Sequence, residues 1–182
     1  MNAPRARTVQ ALVVNKAAPV HLALVLSALS ALGSAAYAQD TGLVLSSPTP
    51  RNGRHGLAAG FSPTPFSVAI QAGGPLSVEG LHLGPGCRGF VDRQPDFVID
   101  WTGRTTQLRF FVRSPADLTL VVQDPGGRVR CNDDATPGTN LQPMVDVFMA
   151  PAGHYAVWIG THTPTPTAPG QLFVTEDRTL DP

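Results

Sequence analysis

Charged residues are scarce in this sequence, and lysine is almost absent. Only 14% of the 182 residues are charged, and Lys16 is the single lysine. The other basic residues are arginines, which are scattered along the chain rather than clustered. A protein that binds nucleic acid needs a basic patch to neutralise phosphates. The sequence therefore argues against a nucleic-acid partner.

Helical periodicity and long apolar runs are also scarce. Apart from one run at residues 20–36, apolar residues occur in short groups. Eighteen glycines and eighteen prolines interrupt the chain. Proline breaks helices because it lacks an amide hydrogen, and glycine favours turns. We therefore expect no long helix after residue 36.

The one apolar run has the features of a secretory signal peptide. Arg5, Arg7 and Lys16 precede it, and it ends in Ala-Tyr-Ala, a small-x-small cleavage pattern. A membrane anchor is the alternative, but about 17 residues is short for a spanning helix, and serine and glycine weaken the run. We predict that residues 1–38 are removed. The mature chain is then periplasmic or extracellular, with no membrane span.

Cleavage after Ala38 leaves 144 residues, enough for one domain with a hydrophobic core. Ten arginines and thirteen acidic residues give this mature chain a net charge of −3. Residues 39–56 are rich in Ser, Thr, Pro, Gly and Arg and are predicted to be a flexible lead-in. The domain is placed at residues 57–178, followed by a tail at 179–182.

Cysteine is rare, with Cys87 and Cys131 alone. In an oxidising compartment an isolated pair is most simply a disulfide. The alternative is a metal-binding or redox-active thiol pair. Against it, the sequence has no C-x-x-C, and no histidine lies at metal-ligand spacing from either cysteine. We predict a structural disulfide.

Short alternating segments, separated by turn residues, predict strands through the mature chain. Leu118, Leu120 and Val122 alternate with other residues before an Asp-Pro-Gly-Gly turn. Residues 66–71 and 76–78 flank Gly-Gly-Pro and are predicted to form a hairpin. The pattern predicts an all-β fold of about eight or nine short strands. An antiparallel β-sandwich is favoured over a small barrel.

Several segments occur in an order that resembles a known domain. They are LAAGF (57–61), GCRGF (86–90), ADLTLVV (116–122), CNDD (131–134) and GHYAVWIGT (153–161). The order resembles the pre-peptidase C-terminal domain over residues 57–176. It is more similar still to small secreted bacterial proteins built on that domain.

This resemblance implies a secreted, jelly-roll-like β-sandwich, usually without catalysis. Relatives are often attached to extracellular peptidases, where some bind substrate or assist maturation. The present chain has no peptidase domain, so a protease activity is not carried over.

An acidic turn is the candidate metal site. Calcium prefers six to eight oxygen ligands and is abundant outside cells. The turn contains Asn132, Asp133 and Asp134. On or beside neighbouring strands lie Asp117 and Asp124, which are expected to converge with the turn. The alternative is a solvated turn whose side chains bond their own backbone. A D-x-D-x-D-G loop is absent, and no cofactor other than calcium is suggested.

Four further residues are candidate ligand contacts. By strict alternation Trp158 lies on the face opposite its apolar neighbours, where it would be an exposed anchor. A buried tryptophan in a strand covered on both faces is the alternative, and it is favoured because large aromatics are usually buried. Phe111 lies between Arg109 and Arg113, an arrangement suited to an anionic or peptide ligand or to stacking within the protein.

No catalytic signature is present in the sequence. The mature histidines, His55, His82, His154 and His162, lie in no familiar peptidase motif, and G-x-S-x-G is absent. Paired carboxylates for glycoside hydrolysis stay open, although Asp133 and Asp134 are too generic to argue for them.

The sequence thus favours a non-enzymatic protein that binds an extracellular protein, peptide or surface polymer. A self-associating envelope protein is one alternative, and an accessory factor of an extracellular peptidase is another.

Overall fold

The computed structural model describes residues 42–45, 49–164 and 166–182. These residues form eleven strands and one 3-10 turn, so the prediction of an all-β fold is confirmed. The predicted signal peptide lies outside the described residues. Within them, no helix has the length and apolarity needed to cross a membrane. The elements are β1 (Arg54–Ala58), β2 (Phe66–Ala72), β3 (Leu76–Ser77), η1 (Glu79–Leu81), β4 (Phe90–Val91), β5 (Phe97–Thr102), β6 (Gln107–Arg113), β7 (Leu118–Gln123), β8 (Val129–Asn132), β9 (Met144–Phe148), β10 (Gly153–Thr161) and β11 (Ala168–Thr175).

The predicted number of eight or nine strands is too low. The strands β3 and β4 have two residues each, too few to show an alternating pattern. The strand β1 begins at Arg54, inside the segment expected to be a lead-in. It pairs with β5 in parallel, so the sheets are not purely antiparallel.

The strands form two sheets. In the larger sheet β10 is central: it pairs with β7 along one side, and with β5 and then β4 along the other. The strand β8 continues the sheet beyond β7, β1 beyond β5, and β3 beyond β4. The smaller sheet is antiparallel, with the order β2-β11-β6-β9. The predicted hairpin is therefore wrong, because β2 belongs to the smaller sheet and β3 to the larger.

The main apolar cluster takes side chains from both sheets. Trp101 and Tyr155 come from the larger sheet, and Phe110 and Leu172 from the smaller. All four are at most 1% exposed. Their inward-facing positions follow the period of two that the sequence shows in these strands.

A second apolar cluster lies on the other face of the larger sheet. Val121, Ala156 and Trp158 point into it from β7 and β10, and Val78 and Val91 cover them. Because β7 and β10 are covered on both faces, each contains an unbroken apolar run, Leu120 to Val122 in β7 and Tyr155 to Ile159 in β10.

The predicted disulfide joins Cys87 to Cys131, with 4.8 Å between their Cα atoms. Both cysteines belong to or pack against the second cluster. The bridge ties the segment after η1 to β8, and so holds the covering segment against the larger sheet.

Candidate functional site

Three strand termini meet at one end of the larger sheet. In the antiparallel pairing, Thr161 at the end of β10 lies opposite Leu118 at the start of β7. The end of β8 lies beside the same part of β7. The residues just beyond these ends are Asp117, Asp133 and His162. The sheet register therefore brings together side chains that are far apart in sequence.

The three side chains form a compact cluster. Their ligand atoms all lie within 4.8 Å of one another. The Nδ1 atom of His162 is 2.8 Å from Oδ2 of Asp133, and the backbone N–H of His162 donates to the Asp117 carbonyl over 3.1 Å. The Asp133 side chain is 10% exposed and that of His162 is 40% exposed. The carboxylate is thus buried, and the imidazole lies between it and solvent.

Several acceptor oxygens in this region lack a protein donor. Among the described residues, Asp117 Oδ1, Asp133 Oδ1 and Gln142 Oε1 are buried atoms without a hydrogen-bond partner. Gln142 bonds to residues adjacent in sequence to the acidic ones: its side-chain amide donates to the Ala116 carbonyl, and its backbone carbonyl accepts from the N–H of Ala135. A buried polar atom without a partner costs about 1–3 kcal/mol, and more if it is charged. Such a group of acceptors is suited to a ligand that carries positive charge.

Electrostatics at Asp117 agree with this geometry. Burial raises the pKa of its carboxyl, and the neighbouring charges of Asp133 and Asp134 raise it further. The neighbouring His162 lowers the pKa of Asp117. The two aspartates therefore repel each other, and only the imidazole offsets them among the groups that act on Asp117.

Asp124 does not join this cluster. It follows β7, whereas Asp117 precedes it, so the strand separates them by about 20 Å or more at 3.3 Å per residue. Its carboxylate accepts from the N–H groups of Gly126 and Arg128 and pairs with Arg130 at 2.7 Å. The prediction that Asp124 converges with the acidic turn is wrong, because strand length sets the distance.

The rest of the acidic turn is only partly available. The Oδ1 atom of Asn132 accepts from the N–H of Met144 over 2.8 Å, and its Nδ2 donates to the Asp134 carbonyl. The Asp134 carboxylate is not among the clustered ligand atoms. Asp134 affects the cluster through its charge, which raises the pKa of Asp117.

The sequence reasoning missed His162. The residue lies 45 positions after Asp117, at the start of a Thr-Pro loop, and no linear motif connects the two. The only signal that would have found it is the pairing of β7 with β10.

The predicted contact residues on β6 hold a segment of the chain itself. Arg109 pairs with Asp146 at 2.7 Å and donates to the carbonyls of Arg178 and Leu180. Arg113 donates to the Asp181 carbonyl over 2.6 Å. The segment predicted as a tail therefore lies along these arginines.

The aromatic residue between these arginines is covered as well. Phe111 is 1% exposed and stacks on Phe173 with 4.8 Å between ring centroids. The guanidinium of Arg113 lies over both rings, at 5.3 and 5.2 Å. Phe111 thus packs within the protein, the second of the two arrangements that its sequence context allowed.

Trp158 is a core residue. It is fully buried in the second cluster, and its indole N–H donates to the Arg93 carbonyl over 3.2 Å. In this conformation it presents no surface to a ligand. The structure agrees with the favoured interpretation of Trp158, in which it is buried in a strand covered on both faces.

An exposed apolar tip lies at the end of β9. It consists of Phe148 and Met149, which are 61% and 75% exposed. Met149 has a φ of 51°, in the left-handed region, and its N–H donates to the Thr106 carbonyl over 2.8 Å. The next residue, Ala150, is buried and anchors the turn. The alternation of Val145, Val147 and Met149 predicts a strand through this stretch, and it gives no sign of the exposed tip.

A second histidine–aspartate pair lies at the opposite end of β10. Asp100 contacts His154 and pairs with Arg54 at 2.8 Å, and Arg54 holds the pKa of that carboxyl below its usual range. Arg54 and His154 border a cavity of about 370 Å³ that Asp124 and Pro125 also line. His154 is 71% exposed, and the nearby arginine neutralises Asp100.

Comparisons with known proteins assign no family. No family model and no curated protein match the chain. Among solved structures, the chain is similar to PliG, a periplasmic inhibitor of g-type lysozyme from Aeromonas hydrophila, with 12% sequence identity and a TM-score of 0.29. The match covers 68% of this chain and 97% of that one. The resemblance to the pre-peptidase C-terminal domain stays a prediction.

Proposed function

We propose that this protein is a secreted or periplasmic, non-catalytic β-sandwich that binds an extracellular protein, peptide or surface polymer. The observation that carries the proposal is the exposed apolar tip formed by Phe148 and Met149. The disulfide between Cys87 and Cys131 supports an oxidising compartment. The jelly-roll arrangement and the kinship with small pre-peptidase C-terminal proteins belong to the same proposal.

The tip has the properties of a binding anchor. Burying a side chain such as Phe or Met contributes about 1.5–3 kcal/mol, which the tip forgoes in the isolated protein. A left-handed conformation at a non-glycine residue costs about 1–3 kcal/mol and persists only where the surroundings impose it. Here the Thr106 carbonyl and the buried Ala150 impose it on Met149. The backbone of the tip is therefore held in place at Met149, which lowers the entropic cost of binding.

Self-association is the second candidate function, and one observation favours it. The tip lies at the end of β9, an edge strand of the smaller sheet. An exposed edge strand can pair with the same strand of another copy. The accessory role beside an extracellular peptidase is a special case of protein binding.

Affinity capture tests the proposal. The purified protein is used as bait against envelope and secreted fractions, beside a Phe148→Ser/Met149→Ser variant. Leu141→Ser is the matched control, since Leu141 is also exposed but lies at the other end of β9. We expect the identified partner to bind the native and control proteins equally, and the tip variant at least about tenfold more weakly, as for a hot-spot residue.

Equal affinity of all three proteins for the partner would contradict the role of the tip. If the native protein instead grows in size with concentration and the tip variant does not, self-association is the function.

A further inference from the structure

We propose that Asp117, Asp133 and His162 form a binding site for a divalent transition metal ion, with zinc as the best-fitting member of the class. The inference does not depend on the proposed binding function or on the tip. It rests on the cluster geometry, on the unpartnered buried oxygens and on the chemistry of the three donors.

The geometry is close to that of a zinc site. Zinc bonds of about 2.0–2.2 Å to histidine and carboxylate place neighbouring ligand atoms roughly 3.3 Å apart in a tetrahedron. The three donors already lie within 4.8 Å of one another. Bringing the most distant donors from 4.8 Å to the tetrahedral spacing requires a movement of about 1.5 Å. Three protein ligands leave the other coordination positions to water.

The second observation is the buried carboxylate of Asp133. Its side chain is nine-tenths buried, yet its Oδ1 atom has no hydrogen-bond partner within the part of the chain that the structure describes. The Oδ1 atom of Asp117 is also buried without a partner among the described residues, although the Asp117 residue as a whole is only half-buried. Two carboxylates beside one imidazole carry more negative charge than the imidazole can offset. A divalent cation satisfies both oxygens and removes the repulsion between the two aspartates.

The donor set favours a transition metal over calcium. Calcium needs six to eight oxygen ligands and does not select imidazole, whereas zinc binds imidazole and carboxylate together. Of the oxygens predicted for calcium, that of Asn132 accepts from Met144, and Asp124 lies at the other end of β7. The third donor of the cluster is therefore His162, in place of Asn132 and Asp124.

The site also has a structural role. Asp117 precedes β7, Asp133 follows β8 and His162 follows β10. One ion would therefore join three strand ends of the larger sheet. One of its ligands, Asp133, lies two residues after the disulfide-bonded Cys131. Bound metal is expected to stabilise the folded protein by mass action.

The test is a titration of chelator-stripped protein with Zn²⁺, followed by calorimetry and by thermal melting. We expect one ion per chain and a higher melting temperature. His162→Gln and Asp117→Asn should each weaken binding by at least about tenfold, since even outer-shell partners cost 10–100-fold. The matched control is His154→Gln, from the histidine–aspartate pair at the opposite end of β10.

Folding and binding are separable in this design. Asp117→Asn removes a repelled carboxylate, so the metal-free variant should be at least as stable as the native protein while binding Zn²⁺ more weakly. Failure of native protein to bind Zn²⁺ up to millimolar concentration would overturn the proposal, because water or a proton would then satisfy the oxygens. Equal loss in His154→Gln would also overturn it. If the protein binds calcium and His162→Gln still does so, the site is an oxygen-only calcium site and the proposal of a transition-metal site is wrong.

Discussion

At the scale of single residues, Asp96 is a buried carboxyl that joins separate parts of the chain. Its Oδ2 accepts from the N–H of Ile159 over 2.8 Å, and its Oδ1 accepts from the Asn52 side chain over 3.2 Å. Arg51 lies 3.6 Å away. Burial outweighs these contacts and raises the pKa of Asp96 to about 7.

This raised pKa predicts how stability depends on pH. Between about pH 4 and 7 the folded protein keeps a proton on Asp96 that the unfolded chain has lost, so the free energy of unfolding falls as pH rises. The effect is about 1.4 kcal/mol per unit of pKa difference. In Asp96→Asn the contribution is absent.

Urea denaturation of both proteins from pH 4 to 8 checks this expectation. The stability of the native protein relative to Asp96→Asn should decrease up to about pH 7 and then level. If the stability of the native protein relative to Asp96→Asn instead increases with pH, Ile159 and Arg51 stabilise the ionised form of Asp96.

At the scale of elements, a close approach fixes where β4 meets β10. A Cβ atom at Gly160 would lie 2.3 Å from the carbonyl oxygen of Phe90. Only glycine allows the two backbones this distance. The covering segment can therefore reach the larger sheet because one position of β10 has no side chain.

We expect Gly160→Ala to destabilise the protein by about 2 kcal/mol or more, since overpacking a core costs about 1–3 kcal/mol and the obstacle here is backbone. The matched control is Gly56→Ala in β1, where an added Cβ meets nothing within 4 Å. That variant should be neutral or slightly stabilising. Similar denaturation midpoints for the two variants would contradict the close approach.

The elements also show which local patterns are informative. Strands such as β7 and β10 are long and apolar and were predicted from alternation and turns. The β2–β3 hairpin was wrong because a Gly-Gly-Pro break marks a change of direction, not the partner of either strand. Pairing depends on contacts between distant segments, which a local pattern does not contain.

At the scale of the whole molecule, the disulfide and the second cluster act together. The bridge holds residues 76–91, which cover Trp158 and Val121, against the larger sheet. Trp101 belongs to the main cluster and is independent of that cover. The two tryptophans therefore report on the two faces of the same sheet.

Replacing both cysteines by serine should lower the free energy of unfolding by about 4 kcal/mol in the chain-entropy model, for a sequence separation of 44 residues. Fluorescence of single-tryptophan variants checks where the loss occurs. Trp158 emission should shift to the red at lower denaturant concentration than Trp101 emission. The role of the bridge would be contradicted if Trp158 and Trp101 emission changed together in the variant without cysteines, at the same denaturant midpoint as in the native protein.

The all-β class, the main core strands and the cysteine pair are predictable without the structure, because alternation, turn residues and cysteine number are local or compositional properties. Tertiary structure decided which predicted site residues meet. It separated Asp124 from Asp117 by the length of β7, placed the final residues on Arg109 and Arg113, and brought His162 to Asp133. The physical reason is that sheet register, which arises from long-range packing, sets the distances between strand ends.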